Sequence, residues 1–167
     1  GYDGNWAVYP FLGEDRVLIG DLATGLYIVD VTESSQIPRN KVADFDGDRK
    51  TDLSLYNPTT GLWTIEKSTD GSLETETWGE IGDIAVNGDF DGDGKNDRTV
   101  FRPSNGRWYI IGSTNGFHYR EFGVNGDIPV PADYDADGVT DLAIWRPSNA
   151  AWYISGSKTG FRTRQWG

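Results

Sequence analysis

The chain has 167 residues, of which 37% are hydrophobic and 13% aromatic, and this content predicts a folded domain with a core rather than a disordered segment. A formal net charge of −11 would repel a phosphate backbone or an anionic lipid surface, so we expect neither nucleic acid nor a membrane as a partner. No cysteine is present, which excludes disulfides and thiol chemistry. No run of about 18 apolar residues occurs, so we expect no membrane insertion. The absence of methionine predicts a processed product or a fragment of a longer protein.

The 22 glycines, the many aromatic residues and the lack of a helical apolar period predict an all-β fold of short strands and tight turns. Residues 1–31 are the least regular part. Gly20–Val29 aligns with Tyr56–Ile65 further along the chain, but Val8–Arg16 stand where later units carry an acidic loop. We therefore interpret residues 1–31 as a degenerate repeat.

An acidic loop of the form D-x-D-x-D-x-x-x-D then occurs three times, starting 45 and 44 residues apart. The loops are Asp44–Asp52, Asp89–Asp97 and Asp133–Asp141. Each is followed by an apolar run, a Pro-containing turn, an aromatic strand, a second turn and a more polar strand; a further short apolar run precedes the second and third loops. The predicted strands of the last unit, for example, include Ile128–Val130, Leu142–Trp145, Trp152–Ile154 and Phe161–Gln165.

Four strands in 40 to 50 residues is the spacing of a β-propeller blade. We predict three full repeats, at about residues 32–79, 80–123 and 124–167, of four antiparallel strands each. The middle strands are apolar on both faces, as expected for blades packed between neighbours. The last strand mixes charged and aromatic residues, which suits an exposed sheet edge.

The loop spacing favours metal binding. A turning backbone can direct the side chains at loop positions 1, 3, 5 and 9 inward, with the carbonyl oxygen of position 7 as a fifth ligand. The predicted ligands are Asp44, Asp46, Asp48, Lys50, Asp52, Asp89, Asp91, Asp93, Lys95, Asp97, Asp133, Asp135, Asp137, Val139 and Asp141, with Lys50, Lys95 and Val139 binding through the backbone. Oxygen ligands in a flexible loop favour Ca²⁺ over Mg²⁺, so we expect about three calcium ions.

Two other interpretations of the loops were weighed. An EF-hand would need a bidentate Glu at position 12, where this chain has Leu55, Val100 and Ile144. Solvated Asp/Gly turns would explain one loop, but turn chemistry does not require four aspartates in the same register three times. Gly94 and Gly138 occupy position 6, where a positive φ is expected, and Arg49 replaces them in the first loop, which predicts the weakest binding there.

Other conspicuous residues are better explained by packing. Trp63, Trp108 and Trp152 recur in register within a strand, which predicts core positions rather than sugar-stacking platforms.

Trp78 and Trp166 are the candidates for exposure, and His118 is predicted to be a surface residue. Arg102 and Arg146 are expected to serve the turn or pair with carboxylates. No nucleophile motif or phosphate loop occurs, so we predict no enzyme activity.

The D-x-D-x-D-G-x-x-D loop, the Gly126–Val130 lead-in, the Trp145–Ser148 turn and the closing Phe-Gly or Trp-Gly together resemble the FG-GAP/VCBS repeats of bacterial extracellular proteins, and integrin α-subunit propellers share the loop. This resemblance covers about residues 32–167 and implies calcium-loaded propeller blades at the cell surface. Gly4–Leu12 and Gly25–Val31 resemble the end of an LVIVD-repeat propeller.

The leading functional hypothesis is a non-catalytic, calcium-binding structural, adhesion or self-assembly module of a larger surface protein. The alternatives are a lectin-like, carbohydrate-binding propeller and an accessory domain of a secreted enzyme. Because both families usually close more blades than this chain has, we expect self-association into a closed oligomer or a filament, with a glycan or surface protein as other candidate partners.

Overall fold

The computed structural model describes residues 7–9, 16–21, 25–30 and 43–165, the first three of these as strands. The chain divides into two compact units, residues 1–38 and 39–167. In the first unit, β1 (Ala7–Tyr9), β2 (Arg16–Asp21) and β3 (Gly25–Asp30) form an antiparallel sheet in the order β1-β2-β3. Gly4–Asn5–Trp6, part of the LVIVD-like stretch, and Trp166 lie outside the described residues.

The second unit contains three separate antiparallel sheets, one for each acidic loop. Their strands are β4 (Leu53–Asn57), β5 (Leu62–Glu66), β6 (Leu73–Thr77), β7 (Ile84–Val86), β8 (Arg98–Arg102), β9 (Arg107–Gly112), β10 (Gly116–Glu121), β11 (Ile128–Pro129), β12 (Leu142–Arg146), β13 (Ala151–Gly156) and β14 (Gly160–Gln165). The orders are β4-β5-β6, β7-β8-β9-β10 and β11-β12-β13-β14. We call the three parts of the chain that form these sheets, each with its acidic loop, repeats 1, 2 and 3.

The predicted all-β class is confirmed, as antiparallel sheets of three or four strands, and the described residues contain no α-helix. A 3₁₀ turn at Pro147–Asn149 lies within the predicted Pro-containing turn of repeat 3. The outer strands β10 and β14 lie at sheet edges, as their mixed charged and aromatic sequences predict, and β6 also lies at an edge. None of these sheets closes on itself, and the propeller arrangement stays a prediction.

The repeats pack face to face. Each sheet has a front face, which carries Leu55, Val100 or Ile144, and a back face, which carries Trp63, Trp108 or Trp152. The front face of repeat 3 meets the back face of repeat 2 in a core of Val86, Phe101, Trp108 and Ile144, with Phe90, Phe122, Leu142 and Tyr153 around it. Alternation along each strand sends successive side chains to opposite faces, so one strand contributes to two such contacts.

The contact between repeats 1 and 2 combines aromatic and charged groups. Trp78 and Phe117 meet edge to face with their ring centroids 5.3 Å apart. Arg98 on the front face of repeat 2 forms ion pairs with Glu74 and Glu76 on the back face of repeat 1. Val100, on the same face as Arg98, is fully buried. The same two faces thus meet at both contacts between described repeats.

Candidate metal centres

Each acidic loop lies directly before the first long strand of its sheet, and its backbone turns through two left-handed residues. Position 6 has positive φ in all three loops, at Arg49 (74°), Gly94 (88°) and Gly138 (90°), which confirms the expectation for that position. Arg49 therefore adopts a conformation that costs an L-residue with a Cβ roughly 1–2 kcal/mol. Loops 2 and 3 avoid this strain at position 6 with glycine.

The carboxylate at position 1 closes the loop on itself. Asp89 accepts backbone hydrogen bonds from Gly92 (2.6 Å) and Gly94 (2.7 Å), at positions 4 and 6. Asp44 accepts the equivalent bonds from Gly47 (2.7 Å) and Arg49 (3.0 Å). These bonds hold the turning backbone around the carboxylate, which explains why Asp is required at the start of the loop.

The carboxylate at position 9 is buried in every loop and bridges two segments of its repeat. Asp97 is 1% exposed and accepts hydrogen bonds from Phe90 N–H (2.7 Å) in its own loop and from Ser113 N–H (2.9 Å) in the turn between β9 and β10. Asp141 makes the same pair of bonds to Tyr134 (2.9 Å) and Ser157 (2.7 Å). Asp52 does so in repeat 1, with Phe45 and Ser68.

Position 3 reaches the same turn. Oδ2 of Asp91 accepts hydrogen bonds from the N–H groups of Thr114 (2.9 Å) and Asn115 (3.2 Å), and Oδ2 of Asp135 accepts them from Lys158 (3.0 Å) and Thr159 (2.8 Å). The loops of repeats 2 and 3 are therefore held against the turn between the last two strands of their own sheets.

The structure brings three carboxylates together in every loop, with one oxygen from each within 4.8 Å of the others. The clusters are Asp44, Asp46 and Asp48 in loop 1, Asp89, Asp91 and Asp97 in loop 2, and Asp133, Asp135 and Asp141 in loop 3. Nine of the twelve predicted aspartate ligands thus converge. Asp52, Asp93 and Asp137 are not part of these clusters, and the carbonyl ligands at Lys50, Lys95 and Val139 stay predictions.

The two position-5 aspartates outside the clusters are held by hydroxyl groups. Asp93 accepts hydrogen bonds from the side chains of Ser113 and Thr114, and Asp137 accepts one of 2.7 Å from Ser157 Oγ. Their partners lie in the turn beneath the loop, so these carboxylates point to that turn. In loop 1 the position-5 residue, Asp48, joins the cluster instead.

Burial, and after it the charges of neighbouring carboxylates, shift the pKa values in loop 2. Burial, and secondarily the charges of Asp91 and Asp89, raise the pKa of Asp97 to about 6 against the hydrogen bonds from Ser113 and Phe90. Burial also raises the pKa of Asp89. A cation held between the carboxylates would relieve this repulsion, because it supplies the opposite charge at short range.

Loop 3 offers an oxygen suited to a metal. Oδ2 of Asp135 takes the hydrogen bonds from Lys158 and Thr159, whereas Oδ1 is buried and receives no hydrogen bond from any described group. A buried carboxylate oxygen without a donor is costly unless a cation or water meets it. All-oxygen donor sets of this kind fit a hard divalent cation.

The predicted roles of the other residues can be compared with the structure. Trp63 (2% exposed) and Trp108 (0%) are core residues as predicted, whereas Trp152 is only partly buried. Trp78 is also partly buried, against Phe117, and is not the freely exposed residue expected. His118 is partly exposed on the edge strand β10, and its Nδ1 lies 3.2 Å from the Gly116 carbonyl oxygen.

Arg102 and Arg146 pair with carboxylates, as predicted. Arg102 donates two hydrogen bonds to Asp83, at 2.7 and 2.8 Å, and Arg146 binds Asp127 with the same distances. Asp83 and Asp127 also accept backbone bonds from Glu80 and Val124, which closes the turn before β7 and β11. The pKa of each arginine is raised, first by its hydrogen bond to the aspartate.

Sequence reasoning missed two sets of residues. The turn serines and threonines that seat the loops recur in register at Ser68, Ser113 and Ser157, so the repeat itself carried a signal for them. The second set is Asp127, which lies in the Gly126–Val130 lead-in, and Asp83, which holds the same position before β7. Their pairing with the arginines could have been inferred from their joint occurrence in repeats 2 and 3.

Comparison of the chain with protein-family models and with curated proteins finds no match. Within the described part of the chain, the structure contains no helix of the length and apolarity needed to cross a membrane.

Proposed function

We propose that the chain is a non-catalytic, calcium-stabilised structural module of an extracellular protein, built from blades of the FG-GAP/VCBS type. The observation that carries this proposal is the convergence of three carboxylates, within 4.8 Å, at the same place in three consecutive repeats. Three carboxylates held this close repel one another, and a cation bound between them would offset that repulsion in each of the three loops.

The aspartates at different loop positions would have different roles in binding the ion. The position-1 aspartates Asp44, Asp89 and Asp133 shape the loop through its N–H groups, and the position-9 aspartates Asp97 and Asp141 anchor it to the sheet. Asp135, with one oxygen held by the Lys158–Thr159 turn, presents the other to the ion. Bound calcium would supply positive charge, and three ions would change the net charge from −11 to −5.

Calcium bound in these loops would stabilise the fold rather than take part in a reaction. The carboxylates are engaged by the loop and turn backbone, and loops 2 and 3 each join two paired strands of one sheet. Loops of this type suit the affinities of extracellular modules, with a Kd of about 10⁻⁴ to 10⁻³ M. Metal binding to the folded state alone contributes about 0.4 kcal/mol per site at a calcium concentration equal to the Kd and about 2.7 kcal/mol at 100 times the Kd.

The test is a thermal unfolding series on protein first stripped with EDTA. We expect Tm to rise with added Ca²⁺, to rise less with Mg²⁺, and to fall again on chelation; elemental analysis after gel filtration should find up to three calcium ions per chain. Unchanged Tm together with no retained calcium would refute the proposal.

A matched pair of variants locates the effect. Asp97→Asn removes one charge from the loop 2 cluster and should reduce the calcium-dependent rise in Tm by about one site's share. Asp70→Asn makes the same chemical change at an exposed aspartate outside the loops and should leave the rise unchanged. Equal losses in the two variants would show that general acidity, not the cluster, binds the metal.

A further inference from the structure

The front face of repeat 1 carries an apolar surface that no other residue of 43–165 covers. Leu53, Leu55 and Leu73 are 71%, 68% and 69% exposed. Leu53 and Leu73 are both cross-strand partners of Glu66, so Leu53, Glu66 and Leu73 form one row across the sheet. Leu55 lies on the same face in the adjacent row. Three large apolar side chains on one sheet face are a candidate contact surface.

The same positions are covered in the other two repeats. The counterparts of Leu55 are Val100 and Ile144, which are 0% and 1% exposed. Ile144 and Leu142, the counterpart of Leu53, pack against Phe101 and Trp108 on the back face of repeat 2. The front face of a repeat in this chain is therefore a surface that receives the back face of another repeat.

The back face of repeat 3 is the complementary surface and is only partly covered: Ala143 and Ile154 on it are buried, whereas its two tryptophans are not fully so. Trp145 and Trp152 are cross-strand partners and are only partly buried. Their counterparts in repeat 2, Phe101 and Trp108, are both fully buried under repeat 3. These two faces thus present the two halves of one contact.

A backbone hydrogen bond also joins each pair of consecutive repeats, and the same bond could form at the two remaining faces. Asn96 N–H donates to the Asp44 carbonyl oxygen, and Thr140 N–H donates to that of Asp89, both at 2.6 Å. The residues that would continue this series are Thr51, as donor, and Asp133, as acceptor. Among residues 43–165, neither the N–H of Thr51 nor the carbonyl oxygen of Asp133 has a backbone hydrogen-bond partner.

Charge favours the same pairing. Between repeats 1 and 2, Arg98 on the front face meets Glu76 on the back face. On the front face of repeat 1 and the back face of repeat 3 the charges are reversed. The exposed Arg164, on the back face of repeat 3, is the counterpart of Glu76. The exposed Glu66, on the front face of repeat 1, lies beside Leu53, which is the counterpart of Arg98. Opposite charges would again face each other across the contact.

We propose that the front face of repeat 1 binds the back face of repeat 3 of a second copy of this chain. Leu53 and Leu55 then cover Trp145 and Trp152, Thr51 N–H bonds to the partner's Asp133 carbonyl oxygen, and Glu66 faces Arg164. Because the two surfaces differ, the contact is head to tail and produces a ring or an open filament. It extends the packing already present between repeats and does not require calcium, so it and the calcium proposal can fail separately.

Sedimentation velocity across a wide concentration range, with and without calcium, tests the contact. We expect species heavier than the 18.5 kDa monomer that grow with concentration. Leu55→Glu should weaken association at least tenfold, whereas Ile81→Glu, at an apolar residue that is 82% exposed in a turn, should leave it unchanged. A monomer at every concentration, or association that survives Leu55→Glu, would overturn the proposal.

Charge reversal separates this interface from nonspecific apolar contact. Glu66→Arg and Arg164→Glu should each weaken self-association, because each places like charges across the joint. Mixing the two variant proteins should restore it, since every joint between unlike chains then pairs opposite charges. A mixture that stays as weakly associated as its components would show that these two faces do not meet.

Discussion

Thr140 and Asp89 exchange two hydrogen bonds between neighbouring repeats: Thr140 N–H donates to the Asp89 carbonyl oxygen at 2.6 Å, and Asp89 N–H donates to Thr140 Oγ1 at 2.9 Å. Asp89 is also the first carboxylate of the loop 2 cluster. The link therefore ties acidic loop 3 to acidic loop 2 at the residue that shapes the latter.

Replacing Thr140 by Val should weaken this link. The change keeps the side-chain shape but removes the hydroxyl acceptor, which leaves the Asp89 N–H without its partner in a largely buried contact. We expect a loss of about 1–3 kcal/mol in the free energy of unfolding, measured by denaturant titration. Thr77→Val, at an exposed threonine on β6, is the control and should change stability by less than about 0.5 kcal/mol. Equal effects would assign the loss to threonine chemistry in general.

Arg49→Gly should strengthen calcium binding at loop 1. Arg49 has φ of 74° and carries a positive charge inside the loop, and glycine relieves both. Arg49→Ala removes only the charge and keeps the strained conformation, so its gain should be smaller. Calorimetric titration should resolve one weakest calcium site in the parent protein. The affinity of that site should rise in Arg49→Ala and rise further in Arg49→Gly. Three sites of equal affinity in the parent protein would contradict this ranking.

Gly106→Ala should be far more damaging than Gly116→Ala. Both glycines have positive φ, near 70°. A Cβ on Gly106 would overlap the backbone carbonyl group of Gly123, while a Cβ on Gly116 would meet nothing within 4 Å. We expect a cost of about 1–2 kcal/mol for conformation alone at Gly116 and a further 1–3 kcal/mol for the overlap at Gly106. Thermal unfolding of the two variants gives the comparison, and similar Tm values would contradict the close approach.

The Arg102–Asp83 pair should show strong coupling. The side chain of Asp83 is 1% exposed, so removing its partner leaves a buried charge uncompensated. Arg102→Gln should cost about 3–5 kcal/mol, and the double change with Asp83→Asn should cost less than the sum of the single changes. Repeat 1 has Asn57 at the position of Arg102, which shows that the strand itself accepts a neutral residue there. Additive losses in a double-mutant cycle would argue that the two residues act independently.

Much of the fold follows from local sequence. The strands of repeats 2 and 3 were predicted to within one or two residues because alternating apolar residues and Gly- or Pro-containing turns act over a few positions. The left-handed conformation at position 6 was predictable from Gly94 and Gly138 for the same reason. The Arg102 and Arg146 ion pairs were predicted only as a class, since their partners lie 19 residues away.

The composition of the acidic clusters could not be read from spacing. Asp93 and Asp97 occupy equally conspicuous positions in the motif, yet only Asp97 joins the loop 2 cluster. Asp93 is turned toward Ser113 and Thr114, which lie about 20 residues further along the chain. Hydrogen bonds from a distant turn decided which carboxylates converge.

The sequence by itself determined the repeat, the all-β class and the place of each acidic loop, because these depend on interactions between residues close in the chain. Tertiary structure alone decided which face of each sheet is covered. Leu55 and Val100 have the same register and similar chemistry, yet one is 68% exposed and the other is fully buried. The difference lies in the neighbouring surface, since burial is a property of two packed faces and not of the strand that supplies one of them.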